Sequence, residues 1–107
     1  MAKFQLAEGE KLIGSATMAF VEKATVGGRP TQGKLYVTNQ RVCFHMSMLG
    51  TVLMEEKLSD IGGYSEGRQG LFIKALLIHA KGNTFKFTGM GRKKVMGWLE
   101  QAGVQKM

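Results

Sequence analysis

The sequence predicts a mainly β domain, a partly open barrel of about seven antiparallel strands capped by one C-terminal α-helix. Three observations carry this prediction. Apolar residues alternate with period two through most of the chain, which turns one face of each segment toward a core. Breaks rich in glycine, or carrying Asn or the single proline, recur between these segments. Only after Gly91 does the apolar period become that of a helix.

Leu6 to Glu10 is a short polar lead-in. Lys11 to Thr25, with Leu12, Ile13, Met18, Phe20 and Val21, is apolar enough for a long first strand, and Gly14 marks a bend or bulge in it. Gly27-Gly28-Arg29-Pro30 ends that strand in an exposed loop. Gly33 to Met46 then reads as a hairpin. Leu35 and Val37 share one face of its first strand, Val42 and Phe44 one face of the second. Asn39-Gln40 sits between them, and Asn tolerates the left-handed backbone of a two-residue hairpin loop.

After a loop at Ser47 to Gly50, Thr51 to Leu58 is a strand flanked by charge. Ser59-Asp60-Ile61-Gly62-Gly63 reads as a turn, Tyr64 to Glu66 as a brief pairing segment, and Gly67-Arg68-Gln69-Gly70 as another turn. Leu71 to Ala80 is apolar on both faces except at Lys74 and His79, so it belongs centrally in the sheet. Lys81-Gly82-Asn83 is a tight reversal, and Thr84 to Thr88 alternates again with Phe85 and Phe87 inward. Val95, Trp98, Leu99 and Ala102 then fall at i, i+3, i+4 and i+7 of an amphipathic helix, which Gly103 stops. Gly97 weakens that helix by about 1 kcal/mol relative to alanine. Seven antiparallel strands form a bent sheet or open barrel, and a helix bearing Trp98 is the right size to plug its open end.

At 107 residues the chain is one domain, long enough to bury roughly two-thirds of its unfolded surface. Apolar content of 44% and charged content of 21% exclude a disordered chain. No run approaches the ~18 apolar residues of a membrane-spanning helix. The start lacks the apolar core of a secretory signal, and the single Cys43 cannot form an internal disulfide, so a cytoplasmic location is expected. The net charge of +7 attracts phosphates, whether on anionic lipid or on nucleic acid.

The order Glu8-Gly9-Glu10, then Gly33-Lys34-Leu35-Tyr36-Val37-Thr38-Asn39-Gln40-Arg41-Val42-Cys43-Phe44, then Leu58-Ser59-Asp60-Ile61 and a final helix with Trp98 resembles the GRAM and bacterial pleckstrin-homology-like families. The likeness covers nearly the whole chain, and its sharpest part is the hairpin. It implies a PH-like barrel and either association with a membrane or phosphoinositide, peripheral to the bilayer, or a protein-interaction role. It does not imply catalysis.

In PH-like domains that grip inositol phosphates, basic residues flank the loop between the first two strands. The matching positions hold Lys23, Arg29 and Lys34. Their ammonium and guanidinium groups suit phosphate oxygens, although solvated surface cations account for the same residues. Arg92-Lys93-Lys94 is the densest basic cluster, and it sits at a helix start whose dipole end is already positive. Either the helix begins later or an anion offsets the charge. Arg41 is expected to pair with Asp60 or a turn carbonyl.

Cys43 and His45 share a strand face, but two ligands without further Cys or His spacing do not make a metal site. His79 reads as a partly buried strand residue. Met46, Met48 and Met54 fit either an adaptable apolar surface or core filling. No nucleophile elbow, paired-carboxylate motif or phosphate-cradling loop occurs, and Gly89-Met90-Gly91 is too short for a nucleotide fingerprint. Neither an enzyme nor a cofactor is therefore expected. The sequence leaves three readings: docking on anionic lipid or inositol phosphate through Lys23, Arg29, Lys34 and Arg92 to Lys94; protein interaction or homo-oligomerisation at a strand edge; and, last, nucleic-acid binding, which lacks aromatic residues interleaved with basic ones.

Overall fold

The computed structural model describes residues 5–21, 30–47, 51–69 and 73–107. Seven strands, β1 (Leu12–Val21), β2 (Thr31–Thr38), β3 (Arg41–Met46), β4 (Val52–Lys57), β5 (Ile61–Gln69), β6 (Ile73–Ala80) and β7 (Asn83–Thr88), precede one helix, α1 (Arg92–Gln101). They form one antiparallel sheet in the order β4-β3-β2-β1-β7-β6-β5, open between β4 and β5. β6 is paired on both sides, although β1 holds the middle of the sheet.

The sheet is curled rather than flat. Phe44 of β3 and Phe87 of β7 are separated in the sheet by β2 and β1, yet their rings lie 5.3 Å apart. Phe20 of β1 joins both, at 5.8 Å and 5.2 Å. Such tilted aromatic contacts contribute about 0.5–1.5 kcal/mol beyond their burial. Around them the alternating residues Leu35, Val37, Val42, Met54, Leu76 and Ile78 are buried, as period-two patterning requires. Val95 and Leu99 of α1 complete the core, with Trp98 packed at its margin. Gly14 makes that packing possible: a Cβ there would lie 2.2 Å from the Trp98 ring. The β1–β2 register also shifts between Leu12 and Gly14, so the glycine is the bulge that the sequence predicts.

Three local expectations need correction. The β2–β3 loop does not use a left-handed Asn39, since Lys81 is the only non-glycine with positive φ among the described residues. The loop is held instead by Thr38, whose Oγ1 accepts from the N–H groups of Gln40 (3.1 Å) and Arg41 (3.0 Å). The left-handed two-residue loop lies between β6 and β7, where Lys81 (φ 51°) and Gly82 (φ 78°) join Ala80 to Asn83.

Neither glycine-rich segment around Tyr64 is wholly a turn. Leu58–Asp60 is a single 3₁₀ turn, and Ile61 to Gln69 is one continuous strand. Gly67 pairs with Ala75, and a Cβ on it would meet Leu77 at 2.9 Å, so glycine there makes room for a neighbouring strand's side chain. Gly63 makes room for the C-terminal tail, where a Cβ would lie 2.4 Å from Met107.

The helix ends as expected. Gly103 (φ 93°) donates to Glu100 O (3.0 Å) and Val104 N–H to Leu99 O (2.8 Å), the paired bonds of a Schellman stop. The tail then returns to β5. Tyr64 N–H donates to Gln105 O (3.0 Å), and Met107 N–H donates to Tyr64 O (2.7 Å).

Candidate binding surface

The lead-in and the β2–β3 hairpin are clasped at one end of the sheet. Glu10 has a fully buried side chain whose carboxylate accepts from Thr38 Oγ1 (2.6 Å), Ala7 N–H (2.8 Å), Arg41 Nε (2.8 Å) and Arg41 Nη2 (3.0 Å). The Arg41 guanidinium, helped by the Thr38 hydroxyl and Ala7 N–H, outweighs burial and holds the carboxyl at about 2. Arg41 also donates to Glu55 Oε1 and to Gln5 O, each at 2.7 Å, and its own pKa rises through Glu10. The carboxylates that hold Arg41 are thus Glu10 and Glu55, whereas the expected partner Asp60 pairs with Lys81 at 3.3 Å. Asn39 adds two bonds to the lead-in, accepting from Lys11 N–H (2.8 Å) and donating to Gly9 O (3.3 Å). The sequence feature that carries the family resemblance is therefore a structural clasp.

A second charged cluster forms where β6 begins, β7 finishes and α1 starts. Arg92 is buried, and its Nη1 donates to Glu66 Oε1 on β5 at 2.6 Å. Lys106 Nζ reaches the other Glu66 oxygen at 3.2 Å, and the two cations lower the Glu66 pKa. The anion that offsets the positive helix start thus comes from the chain itself.

Beside Arg92 lies a cavity of about 360 Å³ lined by Ile73, Lys74, Gly89, Met90, Arg92 and Lys93. Lys93 and Lys94 are exposed, and Lys34 is exposed on the outer face of β2, outside this cavity. Lys23 and Arg29 lie outside the described residues. The fold thus brings Arg92 and Lys93 of the expected set to one site, together with Lys74 and two apolar residues absent from that set. Lys74 was visible in the sequence as the charge interrupting an apolar strand, and Met90 as a large side chain between two glycines.

The histidines, the cysteine and the tyrosines are engaged internally. His45 Nε2 lies 3.1 Å from Cys43 Sγ, and its ring meets Tyr36 edge-on at 5.4 Å. Burial, and then the Glu55 carboxylate, pushes the Cys43 thiol up to about 12, while burial lowers His45. No cluster of three His, Cys, Asp or Glu able to hold a metal occurs among the described residues. His79 is partly buried between Ser65 Oγ (2.7 Å) and Thr84 Oγ1 (3.1 Å). Tyr64 donates to Glu100 Oε2 at 2.5 Å, and burial plus that bond raises its pKa to about 12. No helix among the described residues is long and apolar enough to cross a membrane.

A seven-stranded antiparallel sheet, curled on its core and plugged by a C-terminal helix, defines a PH-like domain. The GRAM domain profile matches residues 1–97, and the chain belongs to the GRAM domain family. Among solved structures it is similar to the C-terminal domain of an unknown protein from Leishmania infantum, at 20% identity and TM-score 0.74 over 89% of this chain and 85% of that one. It is also similar to the Vps36 N-terminal PH domain, at 17% identity and TM-score 0.72 over 92% and 82% of the two chains. A third likeness, at 14% identity and TM-score 0.60 over 91% and 70%, is to the hSac2 domain of the human phosphoinositide phosphatase Sac2. A comparison with curated proteins gives no match.

Proposed function

We propose that this GRAM domain is a non-catalytic binding module that docks on anionic lipid headgroups. The observation that carries the reading is the distribution of its charges. Glu10, Glu55, Glu56, Asp60 and Glu66, five of the eight acidic residues, are engaged in ion pairs within the fold. The side chains of Lys34, Lys74, Lys93 and Lys94 make no ion pair or hydrogen bond among the described residues. Part of the excess of +7 is therefore carried on exposed lysines that the described acidic residues do not neutralise. Lys23 and Arg29, which the sequence places between β1 and β2, are proposed to join them, with Arg92 as the internally paired anchor of the helix start. In this reading the domain is cytoplasmic and peripheral to the membrane.

Binding rather than catalysis fits the buried groups. Glu10 is held ionised by Arg41, Cys43 is held as a thiol, and Tyr64 is bound to Glu100; none of them lines the Ile73–Met90 cavity. Each lysine near an anionic surface contributes about 1 kcal/mol, so losing three of them weakens binding on the order of a hundredfold and reversing their charge weakens it further. Co-sedimentation of the full chain with vesicles of phosphatidylcholine, with and without phosphatidylserine, tests this. Binding is expected only with the anionic lipid, weakening as salt rises and with Lys34→Glu, Lys93→Glu and Lys94→Glu combined. Equal binding to both vesicle types, or none to either, overturns the reading.

One observation favours a second reading, protein interaction. β4 is an edge strand whose Val52 is 46% exposed, an arrangement open to strand addition by a partner or a second copy. Light scattering across a concentration series tests it, and a strict monomer throughout excludes self-assembly by this route.

A further inference from the structure

We infer that the corner where β6 begins and β7 passes into α1 is a bilayer-insertion point, with Met90 and Ile73 entering the headgroup–acyl boundary of an anionic membrane. This rests on the docking reading above and adds to it a location and an apolar contribution.

Met90 is wholly exposed, at 103% of its reference area, and Ile73 is 55% exposed. Both line the same cavity. A flexible thioether presented between Gly89 and Gly91 has no core to fill, and leaving such surface in water is unfavourable. What would cover it is indicated by its neighbours. Lys74 and Lys93 line the cavity beside the two apolar side chains, and neither has an ion-pair partner among the described residues. Glu66, which pairs with the cavity's Arg92, is already held by that arginine and by Lys106.

An apolar tip flanked by Lys74 and Lys93 complements a surface that is anionic at its headgroups and apolar just beneath them. A soluble acidic partner would match the lysines but leave Met90 unexplained. The corner also lies a strand's length from the Glu10–Arg41 clasp, because β6 runs from it to Ala80, next to the Lys81 that lines one depression with Gln40 and Arg41 of the clasp. It can therefore approach a plane without involving the clasp.

A polarity-sensitive fluorophore on Met90→Cys tests the inference, since the native Cys43 is fully buried and leaves the new thiol as the accessible one. Ser59→Cys, exposed just before β5 and so at the other end of that strand from Ile73, is the control position. On vesicles of phosphatidylcholine with phosphatidylserine, the label at 90 is expected to shift to the blue and the label at 59 to stay unchanged. Ile73→Asn combined with Met90→Gln, which adds no charge, is expected to weaken partition by about tenfold and to remove the binding that persists at high salt. Because both side chains are exposed, circular dichroism and thermal unfolding of that variant should match the wild type.

Binding of the double variant at full strength, with no blue shift at 90, overturns insertion while leaving electrostatic docking intact. Failure of the wild type to bind any vesicle overturns both. A blue shift that depends on protein concentration and not on lipid overturns insertion in favour of a second copy.

Discussion

Arg41 reaches back over the β2–β3 turn to Glu10, Nε to Oε2 at 2.8 Å and Nη2 to Oε1 at 3.0 Å, so one bidentate pair fastens the lead-in to the hairpin. The Glu10 side chain is 0% exposed and that of Arg41 is 21% exposed. Removing the arginine alone strands a buried carboxylate. Arg41→Ala is therefore predicted to lower stability by about 3–5 kcal/mol. Glu10→Ala with Arg41→Ala is predicted to cost less than the sum of the two single changes. Urea midpoints of the three variants check both statements.

The same pair sets an acid limit. Glu10 is held at about 2 in the fold against an ordinary 4.5, so its contribution is complete above pH 4.5 and fades as pH falls toward 2. A shift of that size corresponds to roughly 3 kcal/mol. Stability measured between pH 6 and pH 2 should fall more steeply for the wild type than for Glu10→Gln, which has no carboxyl to protonate. Parallel curves would refute the assignment.

Two glycines should respond in opposite directions. A Cβ at Gly14 would stand 2.2 Å from the Trp98 ring, so Gly14→Ala is predicted to cost about 1–3 kcal/mol and to red-shift Trp98 emission as the helix lifts. A Cβ at Gly97 meets nothing within 4 Å on an exposed helix position, so Gly97→Ala is predicted to stabilise by about 0.5–1 kcal/mol. Each kcal/mol moves the midpoint of a domain this size by about 4–8 °C, which thermal unfolding resolves.

Cys43 is predicted to be inert in the native state. It is 0% exposed, with its thiol at about 12, so almost no thiolate exists near neutral pH. A thiol-reactive chromophore should label the folded protein only as fast as it unfolds, and rapid labelling before unfolding would contradict the burial.

Where the fold was legible in the sequence, its determinants were local. The β2–β3 hairpin declares itself by alternation and an adjacent turn, and α1 by its stripe and the Gly103 stop. β5 does not, because Gly63 and Gly67 read as turn residues. What they accommodate is Met107 and Leu77, which are distant in sequence. The site was hidden for the same reason. The basic cluster is plain in the composition, but Glu66, which neutralises Arg92 from 26 positions upstream, lies on that obscured strand. Glu10 looked like part of a polar lead-in, and only the fold brings it 31 positions forward to Arg41.

The C-terminal tail makes the two rims of the open sheet unequal. Along β5, its backbone occupies Tyr64 and Lys106 grips Glu66, which leaves Gly67 to Gln69 as a stretch shorter than an ordinary strand. β4 has no backbone pairing on its outer edge among the described residues. Edge-to-edge growth consequently has one usable face per molecule. Two β4 rims meeting antiparallel exhaust each other, so such association terminates at a pair and has no second face from which to extend a fibre.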